Sequence, residues 1–591
     1  MPDANANANA DADAGDATLT LTTLATPPSG ARAASAKTQP LLAVESRATD
    51  DAGAARDVLI LSRDVILIQK EDALLVSEKA APAKPGRSCA FWGRAPKPPS
   101  SIPYYNILWA EITEDQKHLR IDFVAQASQH VLEPRHVEFP IPALPAEQSP
   151  HGDNGEILPW VGRLMDRAYG NAARRKRAWV LVNPHAGTGG ADKTWDKLVC
   201  PIFAAARMPL TVIRTTYSGQ GVDLARDVNI DDYDIAIPCS GDGLPHEIFN
   251  GLAQRPDARR ALSKIAVCHI PCGSGNAMSC NLYGTYRPTL AALAIVKGIP
   301  TPLDLISVTQ GEKRIISFLS QALGMIADLD ITTEHLRWMG ASRFTYGFLV
   351  LAMKRKVYPC DIAVKVEIHH KDDVKEHYRR NISNAGSETE TTETGQQSTH
   401  GGDLNNDNDD NHNGSGTSYG PSTAPSSSES EHSPGLPPLK YGTVMDKLPD
   451  GWELIPHEKL GTFYCGNMAY MAPDANFFAG ALANDGLMDL ITSDGDISPL
   501  KAIGLQMSVD SGHFFDSPIV SYRKVSAYRI IPRPGQDPTC CISIDGEAIP
   551  FEPFQAEVHK GLGLTLSKKG GFEAPGPINW DKVTNTERMR A

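Results

Sequence analysis

Apolar residues run along this chain in short bursts whose spacing changes from region to region. Between residues 57 and 176 the bursts are brief, as in Val58-Leu59-Ile60-Leu61 and Leu119-Arg120-Ile121-Asp122-Phe123-Val124, with Pro-rich turns between them. That pattern predicts short strands and a small β-rich N-terminal region. From Trp179 the order becomes apolar strand, glycine-bearing loop, helix, and then repeats. Trp179 to Val182, Leu210 to Ile213, Ile235 to Pro238 and Ile265 to Ile270 are the predicted strands. Their alternation with helices predicts a parallel α/β sheet over residues 177–305. From 306 to 568 short strand-like runs return, through Ile519 to Ile531 and Cys541 to Asp545, and predict a β-rich second lobe.

Two stretches break the pattern. Residues 1–56 are rich in Ala, Asn, Asp, Ser and Thr, with too few large apolar side chains to offset the entropy of ordering, and are expected to form a disordered tail. Residues 381–437 have the same character, with Asn405-Asn406-Asp407-Asn408-Asp409-Asp410 at their centre. They lie between the alternating runs Asp361 to Ile368 and Lys459 to Tyr464, which predicts a long surface insertion within the second lobe. Residues 569–591 are expected to be a C-terminal tail.

With 591 residues, 41% of them hydrophobic, the chain can bury more than one core. A formal charge of -13 argues against a nucleic-acid partner, since phosphate backbones attract basic surfaces. The first residues lack the basic start and apolar stretch of a secretory signal. No apolar run approaches the ~20 residues that span a bilayer; Phe348 to Met353 stops at Lys354-Arg355-Lys356. The ten cysteines show neither zinc-ligand spacing nor the density of a disulfide scaffold. Together these predict a cytoplasmic protein that touches intracellular or plasma membranes only peripherally. The oligomeric state is left open, a homodimer included.

Three loops carry candidate chemistry, each at the carboxyl end of a predicted strand, where parallel sheets bind ligands. The first, Asn183-Pro184-His185-Ala186-Gly187-Thr188-Gly189-Gly190, has glycines that let backbone N–H groups approach phosphate oxygens. It is not a P-loop, because Asp192 stands where that motif has its second glycine. The second, Ser240-Gly241-Asp242-Gly243-Leu244-Pro245-His246-Glu247, exposes the Asp242 carboxylate to whatever the loop cradles. The plainer alternative is a turn aspartate whose side chain caps the following helix. The third, Pro271-Cys272-Gly273-Ser274-Gly275-Asn276-Ala277, offers small residues, backbone donors and an amide.

These loops, in this order and spacing, resemble the diacylglycerol kinase catalytic-domain superfamily, and within it the sphingosine (long-chain-base) kinases, over residues 178 to 568. The lead-in Ile102-Pro103-Tyr104-Tyr105-Asn106-Ile107-Leu108-Trp109 is similar to fungal-type members. The resemblance implies an α/β nucleotide-binding domain, followed by a β-rich antiparallel sandwich that binds lipid. It implies ATP and Mg²⁺ as cofactors, a sphingoid base as substrate and Asp242 as acceptor of the hydroxyl proton. Nucleotide contacts are implied at Asn183, Pro184, Gly187 and Gly189; at Thr215; at Ser240, Gly241, Gly243 and Glu247; and at Gly273, Ser274, Gly275 and Asn276. The later Asp545-Gly546-Glu547 is similar to the family's carboxyl-terminal turn that returns to the phosphates, although Asp-Gly is also a common hairpin turn.

Substrate choice rests on Gly324-Met325-Ile326-Ala327-Asp328-Leu329-Asp330 and the Arg337 and Arg343 that follow. Asp330 sits among apolar neighbours and, if buried, needs a cation beside it. An internal salt bridge to Arg337 or Arg343 would serve. The resemblance implies instead that Asp330 meets the protonated amine of the lipid, while Arg337 and Arg343 face the ATP phosphates. Ile326, Leu329, Phe344 and Phe348 are expected to line a slot for the lipid tail, with His513 either lining it or packed in a core.

Two departures from the family bear on ATP. Its first loop usually has Gly-Gly-Lys-Gly where this chain has Ala186-Gly187-Thr188-Gly189, so one basic side chain is missing. Its next helix usually opens with His-Ala where Gln220-Gly221 stands. The rival readings are a diacylglycerol or ceramide kinase on the same fold, and a weakly active membrane-associated scaffold.

Overall fold

The computed structural model describes residues 57–61, 65–78, 99–141, 157–187, 189–332, 353–391, 434–510, 512–533, 541–577 and 580, together with 347, 350 and 351. The expected tail 1–56, most of the expected insertion and residues 581–591 lie outside them.

The strands Ala178–Val182 and Ile235–Ser240 are buried at every position, as strands covered on both faces must be. They pair in parallel with each other. Leu210–Arg214 adds in parallel at one edge, and Ala266–Val267 and Ile270–Pro271 at the other. The single strand expected over 265–270 is thus interrupted at Cys268-His269. Alternation then divides the sheet's side chains between two cores. Trp179, Leu181 and Ala236 pack with Phe249 and Leu252 of the helix Gly243–Ala253. Val180, Val182, Ile235 and Ile237 face the other way, toward Trp195, Phe203 and the helix Pro288–Lys297.

That second core also contains the N-terminal region. Four short strands from Val58–Ile60 to Ser101–Pro103 make one antiparallel sheet, and Ile107–Ile112, His118–Ser128 and Val131–Pro140 make another. The sequence pattern had suggested only strands here, yet Ile157–Tyr169 is a helix. It buries Ile157, Trp160, Val161, Leu164, Met165 and Ala168, which share one face at helical spacing. Its C-terminal end meets the catalytic region through an unusual contact: Lys297 Nζ donates to the carbonyls of Ile107 and Ala168 and sits 3.7 Å from the Tyr169 ring centre. Reciprocally, Lys176 Nζ donates to the carbonyls of Ile295 and Val296 at the end of Pro288–Lys297. Both lysines are buried, and the carbonyls they bind include those of Ala168, Ile295 and Val296 in the last turns of two helices.

The second lobe is a large antiparallel sheet that curls on itself, which agrees in general terms with the β-rich antiparallel sandwich expected. The strand Ser521–Pro532 makes the corner. Along one edge it pairs with Cys360–Ile368; along the other it pairs first with Met488–Asp494 and then with Phe554–Ser567. A strand that changes neighbours in this way bends the sheet into two arms, which enclose Ile306, Leu323, Phe463, Tyr528, Ile544 and Phe554. The helix Lys371–Thr391 runs past residue 381, where the insertion was expected to begin.

Candidate active site

The three glycine loops touch through their backbones. Gly187 has a φ of 57°, and a Cβ added there would lie 2.4 Å from the Cys272 carbonyl oxygen. A Cβ on Gly273 would lie 2.4 Å from the Gly241 Cα. Real Cβ atoms do not approach so closely, so only glycine lets the first and second loops close on the third. Between them lies a cleft of about 540 Å³. It is lined by Asn183 and Gly187, Thr215, the run Ser240 to Gly243, Glu247, the run Gly273 to Gly275, and Asp545, Gly546 and Glu547. Pro184, Gly189 and Asn276 lie behind this lining. Asn276, at a φ of 58°, folds its amide back to accept from the Gly273 N–H and donate to the Gly273 carbonyl, each at 2.8 Å.

Asp242 faces the cleft with its carboxylate held from behind. Its Oδ2 accepts the Ala277 N–H at 2.9 Å and its Oδ1 accepts the Met278 N–H at 3.0 Å. A capping aspartate is therefore part of the answer, but the helix capped is Ala277–Tyr283 after the third loop, not the one that Asp242 itself precedes. The bond also locks the second loop to the third.

Glu247 turns toward the chain after Leu210–Arg214. It accepts the N–H groups of Gly219 at 3.1 Å and Gly221 at 2.8 Å. Burial pushes its carboxyl above the ordinary range, with Glu547 adding to the effect against those two bonds. A Cβ at position 221 would come within 2.7 Å of both Glu247 Oε2 and Leu244 Cδ1. The departure at Gln220-Gly221 thus has a local steric counterpart.

Asp545 is wholly buried in its side chain and works as a strut. It takes the φ of 52° that opens the Asp-Gly turn, and its oxygens accept from Ser317 Oγ and from the N–H groups of Phe318, Leu319 and Ser320. His246 Nδ1 completes the set at 2.8 Å. Burial pulls His246 down, but Asp545 and then Glu547 and Glu247 outweigh it and hold the ring above its usual value. The turn that follows leaves Glu547 in the cleft, where its Oε1 lies 3.7 Å from the Cβ position of Gly243.

The lining is acidic. Asp242, Glu247, Asp545 and Glu547 contribute carboxylates, while no lysine or arginine lines the cleft among the described residues. Arg337, Arg343 and Phe344 lie outside the described residues, as does Thr188. Asp330 belongs to the helix Met325–Thr332, but its side chain lies outside them. Ile326 is buried with Tyr464, Phe478 and Phe514, whereas Leu329 packs in a separate group with Leu351 and Ala502. His513 is exposed in the turn after Pro499–Asp510, because Phe514 and Phe515 take the inward positions. Sequence reasoning did not single out Tyr464 and Met471, which the second lobe brings to the cleft, nor the buried His269 beside Asp242. Tyr464 falls in a run already read as a strand, where alternation alone could have marked its inward side. Met471 carried no such signal.

Residues 177–308 match the diacylglycerol kinase catalytic domain, and residues 57–170 match a domain of unknown function, DUF7493. The chain is 34% identical over 477 residues to sphingoid long chain base kinase 5 of Saccharomyces cerevisiae, covering 76% of this chain and 67% of that protein. It is 30% identical over 479 residues to sphingoid long chain base kinase 4 of Schizosaccharomyces pombe, covering 80% and 89%. To human sphingosine kinase 1 it is 26% identical, over 68% of this chain and 92% of that one.

Proposed function

Since the chain belongs to the sphingoid long-chain-base kinases, a family of lipid kinases that phosphorylate sphingoid bases, we propose that its three-loop cleft is where ATP gives up its γ-phosphoryl group to the base's primary hydroxyl. The observation that carries this reading is the closure of the loops around the Asp242 carboxylate, with glycines where a nucleotide's phosphates need backbone N–H groups.

Phosphoryl transfer passes through a loose transition state, so the protein contributes position and charge more than covalent chemistry. Asn183, Gly187, Ser274 and Gly275 present small side chains and backbone to the phosphates. Asp242 accepts the hydroxyl proton as the new oxygen–phosphorus bond forms. Its two backbone donors fix the direction of attack, since they leave the carboxylate little freedom to turn. The acidic lining fits a nucleotide that arrives with its own cation. Mg²⁺ on the phosphates would neutralise charge that otherwise repels the incoming oxygen, with Arg337 and Arg343 adding to it.

The amine of the sphingoid base pairs with Asp330, and its tail enters the second lobe beside Ile326, Leu329 and Phe344. Diacylglycerol and ceramide carry no such cation. No helix among the described residues is long and apolar enough to cross a membrane. In this reading the lipid is taken up by peripheral contact with a membrane.

Phosphorylation of a sphingoid base, ceramide and diacylglycerol should be compared with ATP and Mg²⁺, using wild type and Asp330→Asn. Selective activity on the base that falls with Asp330→Asn supports the reading. Equal activity on diacylglycerol, or an unaffected variant, sinks the role given to Asp330.

A further inference from the structure

Behind the Asp242 carboxylate stands a histidine that the reaction described so far leaves unused. His269 is completely buried, at the break between Ala266–Val267 and Ile270–Pro271. Its Nε2 lies 3.0 Å from the Ser240 carbonyl oxygen. A carbonyl only accepts, so Nε2 carries the proton of the neutral ring and Nδ1 carries the lone pair. That Nδ1 is buried, has no hydrogen-bond partner among the described residues, and lies 3.9 Å from Asp242 Oδ1.

Two acceptors therefore lie near each other at 3.9 Å, with no proton between them and a gap longer than a hydrogen bond. Buried polar atoms are nearly always paired, and an exception beside a reacting carboxylate calls for a reason. Burial pulls His269 below its ordinary value against the pull of Asp242, which keeps the ring neutral in the resting site. The other titratable groups packed here do not compete for a proton. Burial pushes the Cys280 thiol up to about 12 and the Tyr283 phenol well above its usual value, so both hold theirs at neutral pH. Glu547 and Glu247 lie on the cleft side of Asp242, away from the enclosed ring.

We infer that His269 is the positioning partner with which Asp242 shares the proton taken from the substrate hydroxyl. The inference rests on the reading of Asp242 given above. As the substrate oxygen bonds to the γ-phosphorus, the bond from that phosphorus to ADP breaks and its electron pair leaves with ADP. The hydroxyl proton moves to Asp242, and the His269 ring draws in from 3.9 Å so that Nδ1 shares that proton with Oδ1. It returns to solvent through Asp242 after the products leave. The pair passes from one negative charge to none. Burial opposes ionisation of the ring alone, yet it favours this change for the pair, which makes the pair a better proton acceptor than an isolated aspartate.

His269→Gln is the informative variant, since its amide can still donate to Ser240 while offering no acceptor at the Nδ1 position. Its kcat should fall about 10-fold or more with KM for both substrates nearly unchanged. The acid limb of the kcat–pH profile should move to lower pH once the second acceptor of the shared proton is gone. Wild-type kcat with an unmoved acid limb would overturn the inference. If the variant does not fold, ¹⁵N NMR of histidine-labelled wild type decides: a protonated Nε2 and bare Nδ1 in the resting enzyme support the arrangement, and a protonated Nδ1 overturns it. Asp242→Asn separates the two levels. If that variant keeps wild-type turnover, the reading of Asp242 itself fails; if it is inactive while His269→Gln behaves as wild type, only the role of His269 fails.

Discussion

His246 and Asp545, almost 300 positions apart in the chain, meet at 2.8 Å and join the helix of the second glycine loop to the curled sheet. Asp545 also accepts from Ser317 and from three successive backbone N–H groups. That buried carboxylate, together with Asn250, which exchanges hydrogen bonds with the Ile316 backbone, ties the second glycine loop to the second lobe.

Replacing that carboxylate leaves several buried donors unmet. Asp545→Ala should lower stability by about 3 kcal/mol, the scale of a buried charged partner removed. Chemical denaturation checks this; a loss well under 1 kcal/mol would mean the strut is dispensable. Asp545→Asn keeps one acceptor oxygen and should lose less.

Close approach of the loops gives a second expectation. Gly273→Ala must force Gly241 away, and overpacking of this kind costs about 1–3 kcal/mol. Activity should fall much further than stability, because the loops that line the cleft separate. Gly190→Ala is the matched comparison, with nothing within 4 Å of the added methyl, and should leave turnover unchanged.

Asp242→Asn should lower kcat by about 100-fold to 10,000-fold, the range for loss of a positioned base. An asparagine has one acceptor oxygen, so it cannot keep both the Ala277 and Met278 N–H bonds, and a small drop in melting temperature should accompany the loss. Steady-state rates and a melting curve on the same preparation distinguish the two effects.

The buried lysines predict a pH dependence of stability. Burial, aided by Lys176 and Arg174, pulls Lys297 down to about 6, and burial pulls Lys176 down to about 8. An unfolded chain holds both protons up to about pH 10. Between about pH 6 and 10 the unfolded state thus binds more protons than the folded one, and stability rises with pH. Melting temperature should climb from pH 6.5 to 9 if other groups stay fixed, and Lys297→Met should flatten that slope. An unchanged slope in the variant would place its source elsewhere.

Much of this site was legible in the sequence because its loops obey local rules. Gly187, Gly241 and Gly273 announce tight backbone, and the strands before them are mostly apolar, as buried parallel strands are. What escaped depended on distant partners. Nothing near Asp545 tells that its carboxylate meets His246, and Asp-Gly reads equally well as a hairpin turn. Ile157–Tyr169 was passed over because its neighbourhood is strand-rich, although its apolar residues follow a helical period. His269 carried no motif at all, since its significance lies in the carboxylate across the sheet.

The N-terminal sheets and the helix Ile157–Tyr169 share a core with one face of the parallel sheet. Cutting the chain back to the segment that matches the catalytic family would uncover the outer side of the helices that cover that face, Pro288–Lys297 among them, and leave Lys297 without the carbonyls of Ile107 and Ala168. The region of unknown function is, physically, a wall of the kinase.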